Sequence, residues 1–350
     1  MSSSHASSNL KVPLLQSYRR SNAFKMVYLL TMLLCLALSV FAGLLQGASS
    51  TSWSEALTAL WDRSGRAHLI VWQLRLPRIA MGCLIGWGLA LGGAACQTVL
   101  RNPLASPFTL GVASGAGFGA VLGIIWGFGR FQQEIIALSA FLFALLTILA
   151  VLTVAQIKGA SPETLILAGV ATMFLFSALT SLLQYIGTFE EVHAIVFWMF
   201  GSLSKVGWNE IALAVVMILP ASLVLYFKSW DLNLLIGGDE TAQSLGVNAP
   251  GLRKVALVLS ALMTAGAICF TGIIGFVGLV SPHIGRMLIG ADHRYLIPAS
   301  GVIGALLVVT ADTLSRTVWM PQIIPIGIVT SFLGVPFFFY LLLKKTREYW

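Results

Sequence analysis

One pair of charged side chains falls inside a hydrophobic stretch of the 350-residue sequence. Asp312 and Arg316 lie four residues apart in TADTLSRTV, a spacing that puts both on one face of a helix. A charge inside a membrane-spanning helix is a functional candidate by default, for example as a proton relay. A structural ion pair explains the spacing equally well, and a proton-driven carrier would need more buried carboxylates than this. Both interpretations of Asp312 stay open at this point.

The sequence motifs of nucleotide, metal and hydrolytic chemistry are missing. GxxxxGK[ST], HExxH and GxSxG do not occur, so the chain carries no Walker loop for ATP and no recognisable nucleophile. The histidines and cysteines are scattered, without a metal-ligand or CxxC spacing. They are His5, His68, His193, His283, His293, Cys35, Cys83, Cys96 and Cys269. We expect no cofactor, no metal and no enzymatic activity from this chain.

The longest polar run between two hydrophobic blocks is Asp231 to Lys254, DLNLLIGGDETAQSLGVNAPGLRK. Its pattern predicts two short helices, 231–236 and 239–245. Asp239 and Glu240 suit the positive end of the second helix, and Gly246 suits its C-terminal stop. Taken alone, an ordinary solvated loop explains this segment as well as a functional surface does.

These polar segments must be positioned by membrane helices. The sequence is 57% hydrophobic and 10% charged, whereas soluble domains are about 25% charged. The net charge of +8 is spread over short loops, so no basic domain exists to hold nucleic acid. Six apolar runs come close to the roughly 20 residues that a spanning helix needs. They are 26–45, 79–100, 108–128, 135–157, 165–186 and 324–343.

The N-terminal segment differs from the rest of the chain. Residues 1–25 are Ser-rich and predict a disordered cytoplasmic tail. The apolar run that follows is longer than the 7 to 15 residues of a signal-peptide core, so we expect it to be retained as the first span. Residues 26–350 then form one transmembrane domain that includes the polar segment 231–254.

Charge bias settles the number of spans. Gly-rich residues 255–280 form either one helix or two, which gives nine or ten spans. With ten, fourteen of the 21 Lys and Arg residues fall inside and seven outside, as the positive-inside rule requires. We therefore predict an all-α integral membrane protein with about ten helices in a packed bundle and both termini in the cytoplasm.

Glycine spacing predicts how one of these spans packs. Gly111, Gly115, Gly119, Gly123 and Gly127 recur at every fourth residue. Such a stripe lets two helix backbones approach closely. A smooth wall along a substrate path is the functional alternative.

Four segments resemble the FecCD-type permeases, the membrane subunits of bacterial ABC importers for iron-siderophores, haem and cobalamin. The resemblance runs from about residue 60 to the end. The four segments are RLPRIAMGCLIGWGLALGGAACQTVLRNPLASPFTLGVASGAG (75–117), GDETAQSLGVN (238–248), GFVGLVSPHIGRMLIGADHRYLIPASG (275–301) and PIGIVTSFLGVPFFFYLL (325–342).

This resemblance implies a ten-helix, cobalamin-permease-like fold in the bacterial inner membrane. It also implies three protein partners: a second permease subunit, identical or paralogous, a cytoplasmic ABC ATPase dimer, and a periplasmic or lipid-anchored substrate-binding protein. The family's cargoes are iron-siderophores, haem and cobalamin. The sequence has no Tyr or His cluster at midspan to ligate haem iron, so we expect an iron(III)-siderophore, with haem or cobalamin as the alternative. From another class, an ATP-independent secondary carrier remains a rival function.

Site residues follow from the same resemblance, position by position. The family's ATPase-coupling element corresponds here to Gly238, Asp239, Glu240, Thr241, Ala242, Leu245, Gly246 and Asn248. The arginines that receive a binding protein correspond to Arg63, Arg66 and Arg316. The cytoplasmic gate corresponds to Asn102, Pro103, Leu104, Ser161 and Glu163. Glu163 departs from the small hydroxyl residue that is common at its position in relatives.

Overall fold

The computed structural model describes residues 5–47, 52–62, 65–127, 132–158 and 161–343. Every regular element in these ranges is a helix, which confirms the all-α class. The first elements are α1 (His5–Leu45), α2 (Trp53–Thr58), α3 (Gly65–Leu69), a π-helical turn (Ile70–Arg75), α4 (Leu76–Val99), α5 (Val112–Trp126), α6 (Gln132–Ile157) and α7 (Pro162–Ile186). Then follow α8 (Phe189–Met199), α9 (Trp208–Phe227), α10 (Ser229–Ile236), α11 (Asp239–Ser244), α12 (Ala249–Thr271), α13 (Val277–Ile289), α14 (His293–Thr317) and α15 (Ile326–Leu343).

Ten apolar helices are found among the described residues, in agreement with the predicted number of spans. Seven are long enough to cross a bilayer by themselves, and three shorter ones lie in α5, α13 and α15. The 255–280 region forms two helices, as charge bias predicted. The break falls between Gly272 and Phe276, which have φ angles of +71° and +67°, values that end a right-handed helix.

The glycine stripe of α5 packs directly on α6. A Cβ atom built on Gly115, Gly119 or Gly123 would lie 1.9, 2.3 or 2.7 Å from an atom of α6, distances that no side chain tolerates. Gly111 and Gly127 cap the two ends of α5 instead. The stripe is therefore the close helix–helix face that the spacing predicted.

Helix α4 lies at the centre of the bundle and is buried along nearly its whole length. A Cβ on Gly86 would lie 2.4 Å from the carbonyl oxygen of Gly304 in α14, and a Cβ on Gly93 would lie 1.6 Å from that of Gly278 in α13. Glycines therefore bring α4 into backbone contact with two neighbours.

The first helix begins much earlier than the composition predicted. We expected residues 1–25 to be disordered, but α1 starts at His5. Residues 14–42 contain neither Gly nor Pro, so no helix breaker separates this stretch from the first span; Pro13 lies nearer the start of the helix.

Candidate functional site

The polar segment between α9 and α12 forms the two short helices that the sequence predicted. Helix α10 ends at Ile236 and α11 runs from Asp239 to Ser244. Gly238 and Gly246 flank α11 with φ angles of +109° and +88°, which glycine adopts at little cost. We call the end of the bundle that carries α10 and α11 the coupling end.

Two arginines fix α11 to the bundle through Asp239. The Nη2 atom of Arg253 donates to both carboxylate oxygens of Asp239 at 3.0 Å, and Arg101 donates to the same carboxylate. Arg253 is buried and its Nε also donates to the carbonyl of Val99 at 2.9 Å. The carboxylate therefore joins α11 to the ends of α4 and α12.

The rest of α11 presents one buried and several exposed positions. Ala242 is fully buried, and its carbonyl accepts from the backbone N–H of Val247 at 2.9 Å. The other predicted coupling residues lie outward. Glu240, Thr241, Leu245, Gly246 and Asn248 are exposed. Because the polar and apolar atoms of this face are available to a protein partner, the segment is a surface and not only a connection.

A second polar cluster holds α10 through Asn233. Its side-chain oxygen accepts from the backbone N–H of His293 and lies 2.8 Å from His293 Nδ1, while its amide donates to Asp292 at 2.9 Å. The other ring nitrogen of His293 lies 2.6 Å from Thr98 Oγ1 at the end of α4. Because the Asn233 oxygen can only accept, Nδ1–H is the donor to it. The single hydroxyl proton of Thr98 goes either to Nε2 or to the carbonyl of Ala94, which is 2.8 Å away.

The carboxylate of this cluster stays ionised. Burial raises the pKa of Asp292, but hydrogen bonds from Arg294 and Asn233 outweigh that effect and lower the pKa to about 2. Arg294 also lies 4.2 Å from the ring centroid of Trp230 in α10, within the range of a cation–π contact. Sequence reasoning missed this cluster because its members come from three separate segments.

The predicted gate residues lie at the coupling end as well. Asn102 turns the chain after α4, and its side chain accepts from the N–H of Leu104 at 2.9 Å. Leu104 is exposed, and Pro103 is partly so. On the neighbouring element, Ser161 caps α7 by accepting from the N–H of Thr164 at 3.3 Å.

Glu163 lies in the first turn of α7 and is exposed. Its carboxylate interacts mainly with its own backbone N–H and with the Ser161 hydroxyl, and the charges of Arg253 and Arg101 contribute least. Among the described residues it forms no ion pair within 4.0 Å. The turn after α4 is therefore the part of the gate that is joined directly to α11, through Arg101 and Asp239.

The three predicted docking arginines have different surroundings. Arg66 in α3 is exposed. Arg63 lies outside the described residues. Arg316 is only 4% exposed and turned into the bundle, so in this conformation it is not available to a docking protein. That part of the prediction is corrected: the charge of Arg316 is used inside the protein.

Arg316 belongs to a buried cluster that fixes the end of α1. Arg78 Nε donates to Asp312 at 2.6 Å, and Arg316 Nε lies 3.0 Å from the other oxygen of that carboxylate, outside hydrogen-bond geometry. Arg316 and Arg75 also donate to the carbonyls at the C-terminus of α1, Arg75 reaching Leu44 at 2.7 Å. Those carbonyls have no partner within the helix.

This arrangement favours the structural interpretation of Asp312. The carboxylate is buried between two arginines, and the additional positive charge faces the negative end of the α1 dipole. Arg75 and Arg78 directly precede the second predicted span, 79–100. The RLPR segment that opens an apolar run was the signal that both belong to a helix.

Comparisons with known proteins identify the family of the chain. The sequence matches the profile of the FecCD transport family over residues 34–344. The hemin transport system permease protein HmuU of Yersinia pestis is 36% identical over 329 residues, which cover 92% of this chain and 96% of HmuU. The cobalamin import system permease protein BtuC of Halobacterium salinarum is 38% identical over 287 residues, covering 81% of this chain and 75% of BtuC.

A solved structure shares the fold along almost the whole chain. It is described as an inward-facing conformation of a metal-chelate type ABC transporter. The TM-score is 0.81 at 35% identity, over 91% of this chain and 99% of the other. The chain belongs to the FecCD transport family and is a multi-span membrane permease of the ABC transporter class.

Proposed function

We propose that this chain is the permease subunit of an ABC importer for an iron(III)-siderophore complex, and that a separate ATPase drives it through α11. One observation carries the proposal: Asp239 of α11 is bound to Arg101 and Arg253, and Arg101 directly precedes the gate turn 102–104. Arg101 thus links α11, the surface proposed to contact the ATPase, with the gate turn.

The mechanism follows from that connection. ATP binding changes the spacing of the two ATPase subunits, and a surface that contacts them differently in their two states is displaced. Displacement of α11 moves the Asp239 carboxylate and, with it, Arg101 and the turn after α4. The gate therefore opens or closes as α11 moves.

Three partners complete the machine. A second permease subunit forms the other half of a central path. The ATPase dimer binds α10 and α11 on the cytoplasmic side, and a substrate-binding protein docks on the opposite side of the membrane. Arg66, with Arg63 from sequence, is our candidate for that docking surface, where charge complementarity favours rapid encounter and correct register. Both termini lie in the cytoplasm, and the membrane is the inner membrane of a bacterium.

An apolar groove supports a chelate as the cargo. A cavity of about 560 Å³ is lined by residues of α8 and α15, by Phe108 before α5 and by the segment between α12 and α13, with Phe200 and Phe332 prominent. Its described lining has no His, Tyr, Cys or carboxylate, and Met199 is its one side chain of a type that ligates haem iron. A siderophore saturates its own metal and needs no protein ligand, whereas haem offers free axial positions. Haem and cobalamin, which relatives carry by name, are the alternatives.

The proposed contact of α11 with the ATPase can be tested by charge reversal. Glu240→Lys changes an exposed carboxylate of α11 without touching the Asp239 cluster. The matched control is Glu190→Lys, an exposed carboxylate in the first turn of α8 at the other end of the bundle. We expect Glu240→Lys to weaken co-purification of the permease with its ATPase at least about tenfold, and Glu190→Lys to leave it unchanged. Equal ATPase retention by both variants would reject the assignment.

A further inference from the structure

A cavity at the end of the bundle opposite α10 and α11 has no place in the transport path described above. It has a volume of about 370 Å³ and lies between α6, α9 and the C-terminal end of α12, within the range of small-molecule sites. Its upper rim is formed by the first turns of α6 and α9 and the loop before α9. It opens on faces of α6 and α9 that carry exposed leucines, so it is reached from the bilayer.

The rim of this cavity carries both signs of charge. Glu134 in the first turn of α6, Lys205 in the loop and Glu210 in the first turn of α9 line it, with Gln133 beside them. Among the described residues, neither Glu134 nor Lys205 has an ion-pair partner within 4.0 Å. One oxygen of Glu210 accepts from the N–H of Gly207 at 2.8 Å, which fixes its position.

The floor of the cavity is apolar. Phe141 and Met217 line it, and they stand eight and seven residues further along their helices than Gln133 and Glu210. At a rise of 1.5 Å per residue, the floor lies roughly 10–12 Å deeper than the rim. The side chain of Trp198 also lines the cavity, and tryptophan is enriched at this level of a bilayer. The charged rim and the apolar floor match the polar headgroup and the apolar chain of an amphiphile.

We infer that this cavity is a binding site for a glycerophospholipid with an ammonium headgroup, taken from the leaflet opposite α10 and α11. Lys205 faces the phosphate of the lipid, Glu134 faces its ammonium group, and one acyl chain lies over Phe141 and Met217. A zwitterionic headgroup fits because the rim presents a cation together with carboxylates; a purely anionic headgroup would meet Glu134 with like charge. Bound there, the lipid joins α6 to α9 across α12.

The test measures which phospholipid remains on the purified full-length permease after partial delipidation, by native mass spectrometry. Phosphatidylethanolamine and phosphatidylglycerol are supplied in equal amounts as probes. We expect the most tightly held lipid to be phosphatidylethanolamine, preferred about tenfold, which corresponds to about 1.4 kcal/mol. Glu134→Gln should abolish that preference while phospholipid is still retained. Lys205→Gln should lower the retention of both lipids.

A steric pair of variants checks the position of the acyl chain. Leu213 lines the cavity, and Leu213→Trp should reduce lipid retention about fivefold or more. Val216→Trp adds similar bulk three residues away, at a side chain that does not line the cavity, and should leave retention unchanged. All four positions are exposed, so the fold should tolerate the changes.

Three outcomes would overturn the inference. Unchanged retention in Leu213→Trp and Lys205→Gln would show that the cavity holds no lipid. A preference for phosphatidylglycerol would contradict the assigned headgroup. Loss of a protein–protein complex in Leu213→Trp, with lipid retention intact, would show that a second protein chain occupies the cavity.

Discussion

Arg253 binds Asp239 with one nitrogen shared between two oxygens: Nη2 lies 3.0 Å from Oδ1 and 3.0 Å from Oδ2. The same arginine donates through Nε to the carbonyl of Val99 at 2.9 Å. Because Arg253 is buried, Asp239 serves as the counter-charge of its guanidinium group. Arg101 donates to the same carboxylate. A helix of six residues is thereby joined to two spans that are more than twenty residues long.

Removing the Asp239 charge should uncouple ATP hydrolysis from transport. Asp239→Asn keeps the size of the side chain but removes the charge that holds Arg101 and Arg253. We expect the permease to bind its ATPase while the amount of chelate imported per ATP falls about tenfold. Glu190→Gln is the control, because Glu190 is exposed in the first turn of α8 at the other end of the bundle and makes none of these contacts. The same import-to-hydrolysis ratio in Asp239→Asn and wild type would show that the cluster does not transmit motion.

The cluster around Asn233 should be needed to hold α10. Asn233→Leu removes the bonds to His293 and Asp292 and leaves their buried polar atoms unpaired, at a cost of about 1–3 kcal/mol. We expect a lower thermal unfolding temperature in detergent and weaker ATPase binding. Asn209→Leu makes the same substitution at an exposed position of α9 and should be neutral. If both variants unfold at the wild-type temperature, Asn233 does not anchor α10.

Two glycines of α5 offer a matched pair for the packing. Gly119→Ala places a methyl group 2.3 Å from the carbonyl of Ser139, whereas the nearest atom to a methyl at Gly117 is 3.7 Å away. Gly119→Ala should lower the unfolding temperature because α5 and α6 must separate. Gly117→Ala should be neutral or stabilising by about 0.5–1 kcal/mol, since alanine favours a helix over glycine. The reverse order of stability would contradict the described contact.

Neutralising Asp312 should destabilise the bundle more than neutralising an exposed aspartate. Asp312→Asn leaves Arg78 and Arg316 buried without a counter-charge, and breaking a buried pair costs about 3–5 kcal/mol. Asp231→Asn breaks a surface pair with Lys228, where the loss is about 0–1 kcal/mol. Urea or thermal unfolding in detergent compares them. If Asp312→Asn were as stable as Asp231→Asn, a structural role for the ion pair would be rejected.

Much of the fold could be predicted because hydrophobicity and glycine spacing act locally. The apolar runs predicted the spans, and charge bias predicted two helices around Gly272. The glycine stripe through Gly119 predicted the close helix–helix contact of α5. The start of α1 was missed because Ser-rich composition was weighed above the run 14–25, which contains neither Gly nor Pro. Whether the N-terminal segment becomes helical depends on the helix that it continues as well as on its own composition.

The functional surface was only partly predictable, since charge clusters join distant segments. Asp239 and Gly246 suggested a short helix from local rules. Nothing in the sequence alone pairs Asp239 with Arg253 and Arg101, and the burial of Arg316 depends on the carbonyls of α1. Tertiary packing decides whether an arginine near a span end faces a partner or the protein interior.

The most direct test of the account is uptake of a radiolabelled iron(III)-siderophore into proteoliposomes. Vesicles should hold this permease alone, the permease with its ATPase, or the permease with ATPase and binding protein, each with and without ATP. We predict ATP-dependent uptake with ATPase and binding protein present, and its loss in Asp239→Lys. Uptake by the permease alone without ATP, undiminished in Asp239→Lys, would contradict the claim that an ATPase drives this chain through α11.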